Sequence, residues 1–307
     1  MIKKSSLKRI MVATLVLIIL LIVYLFPTNS INESLSYIKK DEIPIFLMDH
    51  LDYVARTTII KDDNTLDLIE EIIEGLTIGS KKSSYIKEGF KQVIPENTRI
   101  IDKKINDGIL IINFSKELLN INSKDEEKVL EAIIYSLLEI KDIKGIIILV
   151  EGSQLKQLPH SHKKLPNVLD KTYGINKIYN IYSLKNTTKT TIYYLSKNNN
   201  YYYYVPVTKI SNDENERIEI IIKELKSTPI YHTNLISYLE ASTNLTSYEL
   251  LANSIELSFD NYLLANLHNE DILEEIKYTI ALSIRDTYGI YETVFNSLEL
   301  NKIHFKV

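Results

Sequence analysis

The sequence predicts an α/β chain of the α+β kind: tandem small mixed-sheet domains with helices packed on one face, carried behind one N-terminal transmembrane helix. Three observations predict it. An uncharged apolar run at residues 10–26 follows four cations. Three segments recur in the same order, 143–149 residues apart. Within each copy the hydrophobic period switches between 3.6 and 2, the signatures of helix and strand.

The apolar run reads IMVATLVLIILLIVYLF, and only Thr14 and Tyr24 in it carry polar groups. Seventeen helical residues span roughly 25 Å, slightly short of a hydrocarbon core. Lys8 and Arg9 snorkel at one end, Tyr24 sits at the other interface, and Pro27 stops the helix. With the cations first, the N-terminus is expected in the cytoplasm and the rest outside the cell membrane. The charged start also fits a secretory leader. The run is longer than a usual leader core, however, and residues 27–30 lack an Ala-x-Ala pattern, so an uncleaved single-pass anchor is the reading. The expected organisation is residues 1–27 as cytoplasmic start and anchor, 28–41 as tether, 42–180 as a first domain with its connecting segment, and 188–307 as a second, diverged domain.

The duplication rests on three pairs. IEEIIEGL at 69–76 recurs as IEIIIKEL at 218–225, and ILIINFSKELL at 109–119 as SIELSFDNYLL at 254–264. VLEAIIYSLLEIKDIKGI at 129–146 matches ILEEIKYTIALSIRDTYGI at 272–290, with Tyr135 set against Tyr278 and the segments closing on Gly145 and Gly289. Ordered matches at a nearly constant offset mark a duplicated unit, one too long for a short-period solenoid.

In the first copy, residues 44–48 and 57–61 read as short strands. Asp63, Asn64 or Thr65 is expected to cap a helix that ends with Gly75 as its C′ residue, and Leu66, Ile69, Ile72, Ile73 and Leu76 form its apolar stripe. A polar loop at 80–91 follows, then a Pro95-Glu96-Asn97 turn. Strands at 98–104 and 109–114 flank an Asn106-Asp107-Gly108 hairpin turn, where positive φ is tolerated. Residues 125–139 form the second helix and 146–150 a buried strand. The second copy repeats the order: strands at 192–195 and 202–208 about an Asn198-Asn199-Asn200 turn, a helix at 215–225, strands at 235–240 and 254–259, a helix at 272–285, and a last strand at 292–298. Between the copies, residues 163–173 are expected to order through Leu165, Val168 and Leu169.

Composition narrows the function. The net charge is −4, and −8 once Lys3, Lys4, Lys8 and Arg9 are set aside, which argues against a nucleic-acid partner. No cysteine is present, so thiol nucleophiles, disulfides and thiolate metal sites are excluded. The polar clusters read more simply as structure than as chemistry. His160-Ser161-His162 reads as a surface loop, Asp49-His50 with Asp52 as a polar strand end, and Asp62-Asp63-Asn64 as a helix cap rather than a calcium loop. No catalytic, cofactor or metal residues are assigned. The run Tyr201–Tyr204 with Val205-Pro206-Val207 is the most unusual local feature; alternation sends half its rings to the core and half outward. The candidate interaction surface is Tyr202, Tyr204, Lys81, Lys82 and Lys87.

These residues resemble the GerMN-domain family. The carriers are Glu74-Gly75-Leu76 at the helix end, the turn Ile94-Pro95-Glu96-Asn97-Thr98, and Asn113-Phe114-Ser115 closing the middle hairpin. The second copy keeps the order and the apolar pattern but lacks the proline turn and the Glu-Gly end. The resemblance implies compact α/β modules like ring-building motifs, a place in endospore formation or germination, and no enzymatic activity. It implies protein partners in an envelope or sporulation complex, self-association among them; cell-wall polymer is the alternative partner, and no cofactor is implied. Family members are usually lipid-anchored through a cysteine, which this chain replaces with its apolar segment.

Overall fold

The computed structural model describes residues 14–17, 41–62, 67–199, 201–227, 234–260, 267–268, 271–297 and 300–307. Contacts divide the chain into Met1–Ser36 and a second unit, Tyr37–Val307. The expected anchor lies almost wholly outside the described residues; of it, only residues 14–17 appear, as helix. Among the described residues no helix is long and apolar enough to cross a membrane.

The second unit holds both copies. The first runs β1 (Glu42–Asp49), β2 (Val54–Ile60), α1 (Leu68–Leu76), β3 (Phe90–Lys91), β4 (Ile100–Asn106), β5 (Ile109–Phe114), α2 (Glu126–Leu137), β6 (Gly145–Val150) and β7 (Ser153–Gln154). A connecting segment carries a single 3-10 turn at Lys171–Tyr173 and β8 (Ile178–Asn180). The second copy runs β9 (Thr188–Asn198), β10 (Tyr201–Ser211), α3 (Arg217–Leu225), β11 (Leu245–Leu250), β12 (Ser254–Phe259), a small hairpin of β13 (Leu267–His268) and β14 (Asp271–Ile272), α4 (Glu274–Tyr288), β15 (Glu292–Ser297) and β16 (Leu300–Lys306).

Each copy is a long antiparallel hairpin followed by a small mixed sheet. In the first, β5 and β6 run parallel and are joined through α2, with β4 and β7 antiparallel at the flanks. In the second, β12 and β15 are the parallel pair, joined through α4, with β11 and β16 flanking. A parallel pair needs such a crossover, which is why a helix stands between these strands in sequence. Asp107 and Gly108, at φ 49° and 79°, make the tight turn between β4 and β5.

The helices also protect the hairpin edges. The Phe46 N–H on β1 donates to Ser136 Oγ of α2 at 2.8 Å, and the Tyr193 N–H on β9 donates to Ser283 Oγ of α4 at 2.8 Å. Both bonds are buried and both join residues 90 apart. An open strand edge is an aggregation hazard, and a helical serine here satisfies a buried donor that no neighbouring strand takes up. The bonds set the correspondence at 147 residues for β1 with β9 and α2 with α4, and β6 and β15 obey it end to end, while α1 and α3 correspond at 149 and β2 and β10 at 150. Tyr135 therefore matches Leu282, not Tyr278: the expected alignment slips by one helical turn, an error that a 3.6-residue period permits.

The two hairpins join edge to edge. Strand β2 pairs antiparallel with its own counterpart β10 at Arg56 and Tyr204, giving one sheet in the order β3-β1-β2-β10, with β9 and β8 also bound to β10. Beyond that pair the Asn176 side chain fills the seam. It accepts from the Val54 N–H at 2.9 Å and donates to the carbonyls of Val54 at 2.8 Å and Pro206 at 2.7 Å. Proline has no N–H to offer there, so a side-chain amide takes the place of a ladder bond.

Several expectations are corrected. The cap of α1 is Asp67, whose Oδ1 accepts from the N–H groups of Ile69 and Glu70 at 3.1 and 3.2 Å; residues 63–66 lie outside the described residues. Gly75 is inside α1 rather than beyond it. A methyl group there would stand 2.7 Å from Ile59 Cδ1 and 3.3 Å from Ile45 Cδ1, so close packing explains the glycine. Residues 235–240 form no strand: Ile236 makes one bridge to Leu195, and β11 is the partner of β12. Its polar sequence, LTSYEL, hid it. The last strand is β16. In the connecting segment Leu169 is buried and bridged to Ile146, while Val168 is exposed.

Candidate functional site

Each copy bears a surface cleft at the same place, between the C-terminal half of its first helix and the start of its middle hairpin. The first is about 650 Å³ and is lined by Glu70, Glu74, Lys81, Glu96 and Arg99 among others. The second is about 560 Å³, with Glu219, Lys223, Lys226, Asn244 and Tyr248 in its wall.

The first cleft is built by the residues that carry the family resemblance. The carbonyl of Leu76 accepts from the N–H groups of Val93 and Ile94 at 2.9 Å, and the Ile78 N–H donates to Ile94 at 3.0 Å. The helix end and the proline turn are thus stitched side by side. Ser80 Oγ donates to the Glu74 carbonyl at 2.6 Å, and Gln92 Nε2 to that of Gly75 at 3.0 Å, satisfying carbonyls that a helix end leaves open. Asn97 sits at φ 64°, and Thr98 Oγ1 donates to the Pro95 carbonyl at 2.7 Å.

The charges of the two clefts differ. In the first, Lys103 binds Asp67 at 2.8 Å and also Glu70. Burial pushes the Asp67 carboxyl up, but Lys103 and the two capping N–H groups outweigh it and hold the group below its ordinary value. Glu74 and Glu96 make no ion pair among the described residues. In the second cleft Lys223 and Lys226 occupy the positions of Glu74 and Thr77. Lys223 reaches Asp213 at 3.3 Å, and Lys226 donates to Asn244 Oδ1 at 2.9 Å.

The expected interaction residues do not form one surface. Lys81 is exposed and lines the first cleft. Lys82 is buried, its ammonium 3.0 Å from Glu71 and 2.9 Å from the Ile60 carbonyl. Lys87 donates to Thr58 Oγ1 at 3.0 Å. Tyr204 is 4 % exposed and packs against the Tyr278 ring at 5.5 Å, so it is core and not surface. Tyr202 is partly exposed, with Tyr238 6.2 Å away and the Lys197 ammonium 5.1 Å above its ring. The other rings of the run bind the copies together. Tyr203 donates to buried Asp49 at 2.7 Å and meets Phe90 edge-on at 4.9 Å, and the Tyr201 hydroxyl donates to the Glu88 carbonyl.

The remaining polar clusters serve as structure. Asp49 Oδ1 accepts from the N–H groups of Leu51 and Tyr53 and shapes the turn between β1 and β2; His50 is exposed. Buried Glu126 accepts from the N–H groups of His160 and Ser161 at 2.9 Å, and His160 Nε2 donates to the Ile121 carbonyl at 2.7 Å. Among the described residues no group of three or more His, Asp or Glu is placed to hold a metal ion.

Sequence reading missed a buried ion network at the seam. Glu139, just past α2, binds Arg56 of β2 at 3.1 Å and Arg285 of α4 at 2.6 Å. Arg285 also holds Asp286 at 2.9 Å; Lys171 and the Tyr193 hydroxyl bind the same carboxylate. Burial pushes both acids up, but Arg285 and Arg56 hold Glu139 well below the carboxylate range, and Arg285 and Lys171 hold Asp286 down. The available signal was Arg285-Asp286 beside the apolar stripe of α4, an unusual place for two charges.

Known proteins resemble the chain in the same regions. Residues 35–156 match a family described as "Germane: Sporulation and spore germination". The Spore germination protein GerM of Bacillus subtilis (strain 168) is 28% identical over 250 residues, covering 79% of this chain and 67% of that protein. The solved tandem GerMN domains of the sporulation protein GerM from Bacillus subtilis superpose with a TM-score of 0.77 at 23% identity, over 85% of this chain and 92% of that one. Residues 35–156 are thus the copy that matches the family model, and the chain as a whole shares the fold of the tandem GerMN domains.

Proposed function

We propose that the chain is a membrane-anchored, extracytoplasmic and non-enzymatic assembly protein of sporulation or spore germination, acting through protein–protein contacts of its GerMN domains. One observation carries the reading: the polar clusters that chemistry would need are committed to turns and seams, while each copy presents an open cleft of its own charge. The name of the matching Bacillus relative, which this chain resembles over most of its length, supports the process. The apolar run at residues 10–26 supplies the anchor, and with the cations ahead of it the domains face outward.

The test is made in sporulating cells. The chain has no cysteine, so a cysteine introduced as Ile78→Cys or Tyr248→Cys places one cross-linker in one cleft. Capture of a defined envelope protein, or of a second copy, with spores failing on gene deletion, is the expected result. A strictly monomeric chain with no partner and normal spores overturns it. A second reading, attachment to cell-wall polymer, rests on the partly exposed Tyr202 ring beneath Lys197. Sedimentation with purified wall, lost in Tyr202→Ala, would favour it.

A further inference from the structure

The segment that connects the copies has a chemistry unlike the rest of the chain. Residues 155–190 hold seven lysines against the single carboxylate of Asp170, in a chain of net charge −4. Lys164, Lys185 and Lys189 are exposed and make no ion pair among the described residues; the Lys189 ammonium donates to the Thr172 carbonyl at 2.7 Å. Lys164 and Lys189 border a depression of about 360 Å³ whose rim also carries Val168, Tyr179 and Leu184, three exposed apolar side chains. Next to them in sequence, Tyr182 is 87 % exposed, and Leu184 itself is 88 % exposed.

These apolar tips are displayed by a loop that is held firmly. Asn212, itself buried, accepts from the N–H groups of Tyr182 and Ser183 at 2.9 and 3.2 Å. It donates to the carbonyls of Ser183 and Lys185 at 3.1 and 2.8 Å. A loop fixed by one buried amide while its largest apolar side chains face water has paid its ordering cost before any partner arrives.

We propose that this face docks onto an anionic lipid surface, Tyr182 and Leu184 entering the headgroup layer and the lysines that no carboxylate neutralises meeting lipid phosphates. Projecting rather than recessed apolar side chains favour a bilayer over a peptide, which would need a groove to lie in. Tyrosine and leucine at a tip ringed by lysines combine the two attractions that hold peripheral proteins at membranes. The inference goes beyond the proposed function and does not depend on the anchor.

The full chain offers a direct test, because a single Leu184→Cys variant takes one polarity-sensitive dye and nothing else. Vesicles of phosphatidylcholine alone and vesicles with added phosphatidylglycerol are compared. The label should move to shorter wavelength and escape aqueous iodide only on the phosphatidylglycerol vesicles. A label at Ile101→Cys, half exposed on β4, should respond to neither. Attachment through residues 10–26 would occur on both vesicle types, so a response confined to Leu184 and to anionic lipid separates the two. Combined Lys164→Glu, Lys185→Glu and Lys189→Glu should weaken the response on the order of a hundredfold. High salt should weaken it in the chain carrying only Leu184→Cys, which covers failure of the triple variant to fold. A Leu184 label that stays wet on anionic vesicles, responds equally on neutral ones, or is covered only when an acidic protein is added overturns the proposal.

Discussion

The two copies solve one packing problem in two ways. In the first, α1 closes on β2 through Gly75, with Ile59 pressed where a side chain would be. In the second, the same two positions hold Glu224 and Lys209, joined at 2.6 Å. Yet the bond from the outer hairpin strand to a helical serine is the same in both, to a tenth of an ångström. What stays constant is the satisfaction of a strand edge; what drifts is how a helix end meets the sheet. A buried N–H without an acceptor is costly wherever it occurs, whereas a helix–strand contact has both an apolar and an ionic solution.

The comparison can be broken hardest at the seam where the copies meet. Glu139→Ala leaves Arg56 and Arg285 buried without their shared carboxylate and should cost about 3–5 kcal/mol, read by thermal or urea unfolding. A single lowered transition would mean the copies unfold together, and two transitions that they part first. The same network sets an acid limb. The folded pKa values of Glu139 and Asp286 lie below their unfolded values. Their contribution is therefore fully present above the unfolded carboxylate range and lost as pH falls through the folded values. Melting temperature should hold level from neutral pH to about pH 5 and fall below about pH 4, and Glu139→Gln should flatten that fall.

Ser136→Ala and Ser283→Ala should each cost about 1–3 kcal/mol by stranding a buried N–H. Equal losses sharpen the equivalence of the copies; a loss in one alone breaks it. Gly75→Glu should cost about 1–3 kcal/mol by overpacking against Ile59, and adding Ile59→Lys should restore part of it by installing the second copy's solution in the first. Glu224→Ala should be the mildest, about 0.5–1 kcal/mol, since its partner Lys209 is only partly buried.

Much of the architecture was legible because it is local. The strand at β5 and the Asp107-Gly108 turn declare themselves in alternation and turn chemistry, and α1, α2 and α3 in their stripes. What was illegible depends on partners distant in sequence. Tyr204 alternates like a surface residue, but the Tyr278 ring of α4, 74 positions away, packs against it and it is buried. Lys82 reads as loop charge until Glu71, eleven positions away, is folded onto it. Strand β11 was missed for the opposite reason: as a sheet flank it buries little, so its pattern carries no apolar period. The clefts were half legible, since their motif residues were recognised as a pattern but not as one rim.

The seam between β2 and β10 limits how larger assemblies of this chain can be built. Corresponding strands meet there antiparallel, so rotating one copy by half a turn about the seam brings it onto the other. Such an isologous contact is complete with two members: the arrangement is that of a homodimer whose chains have been fused. The edge that joins the copies is used up by joining them and offers no second face along which subunits can be added. A contact that added further copies would have to use another surface, and the two clefts, unlike in charge, are not interchangeable for that purpose.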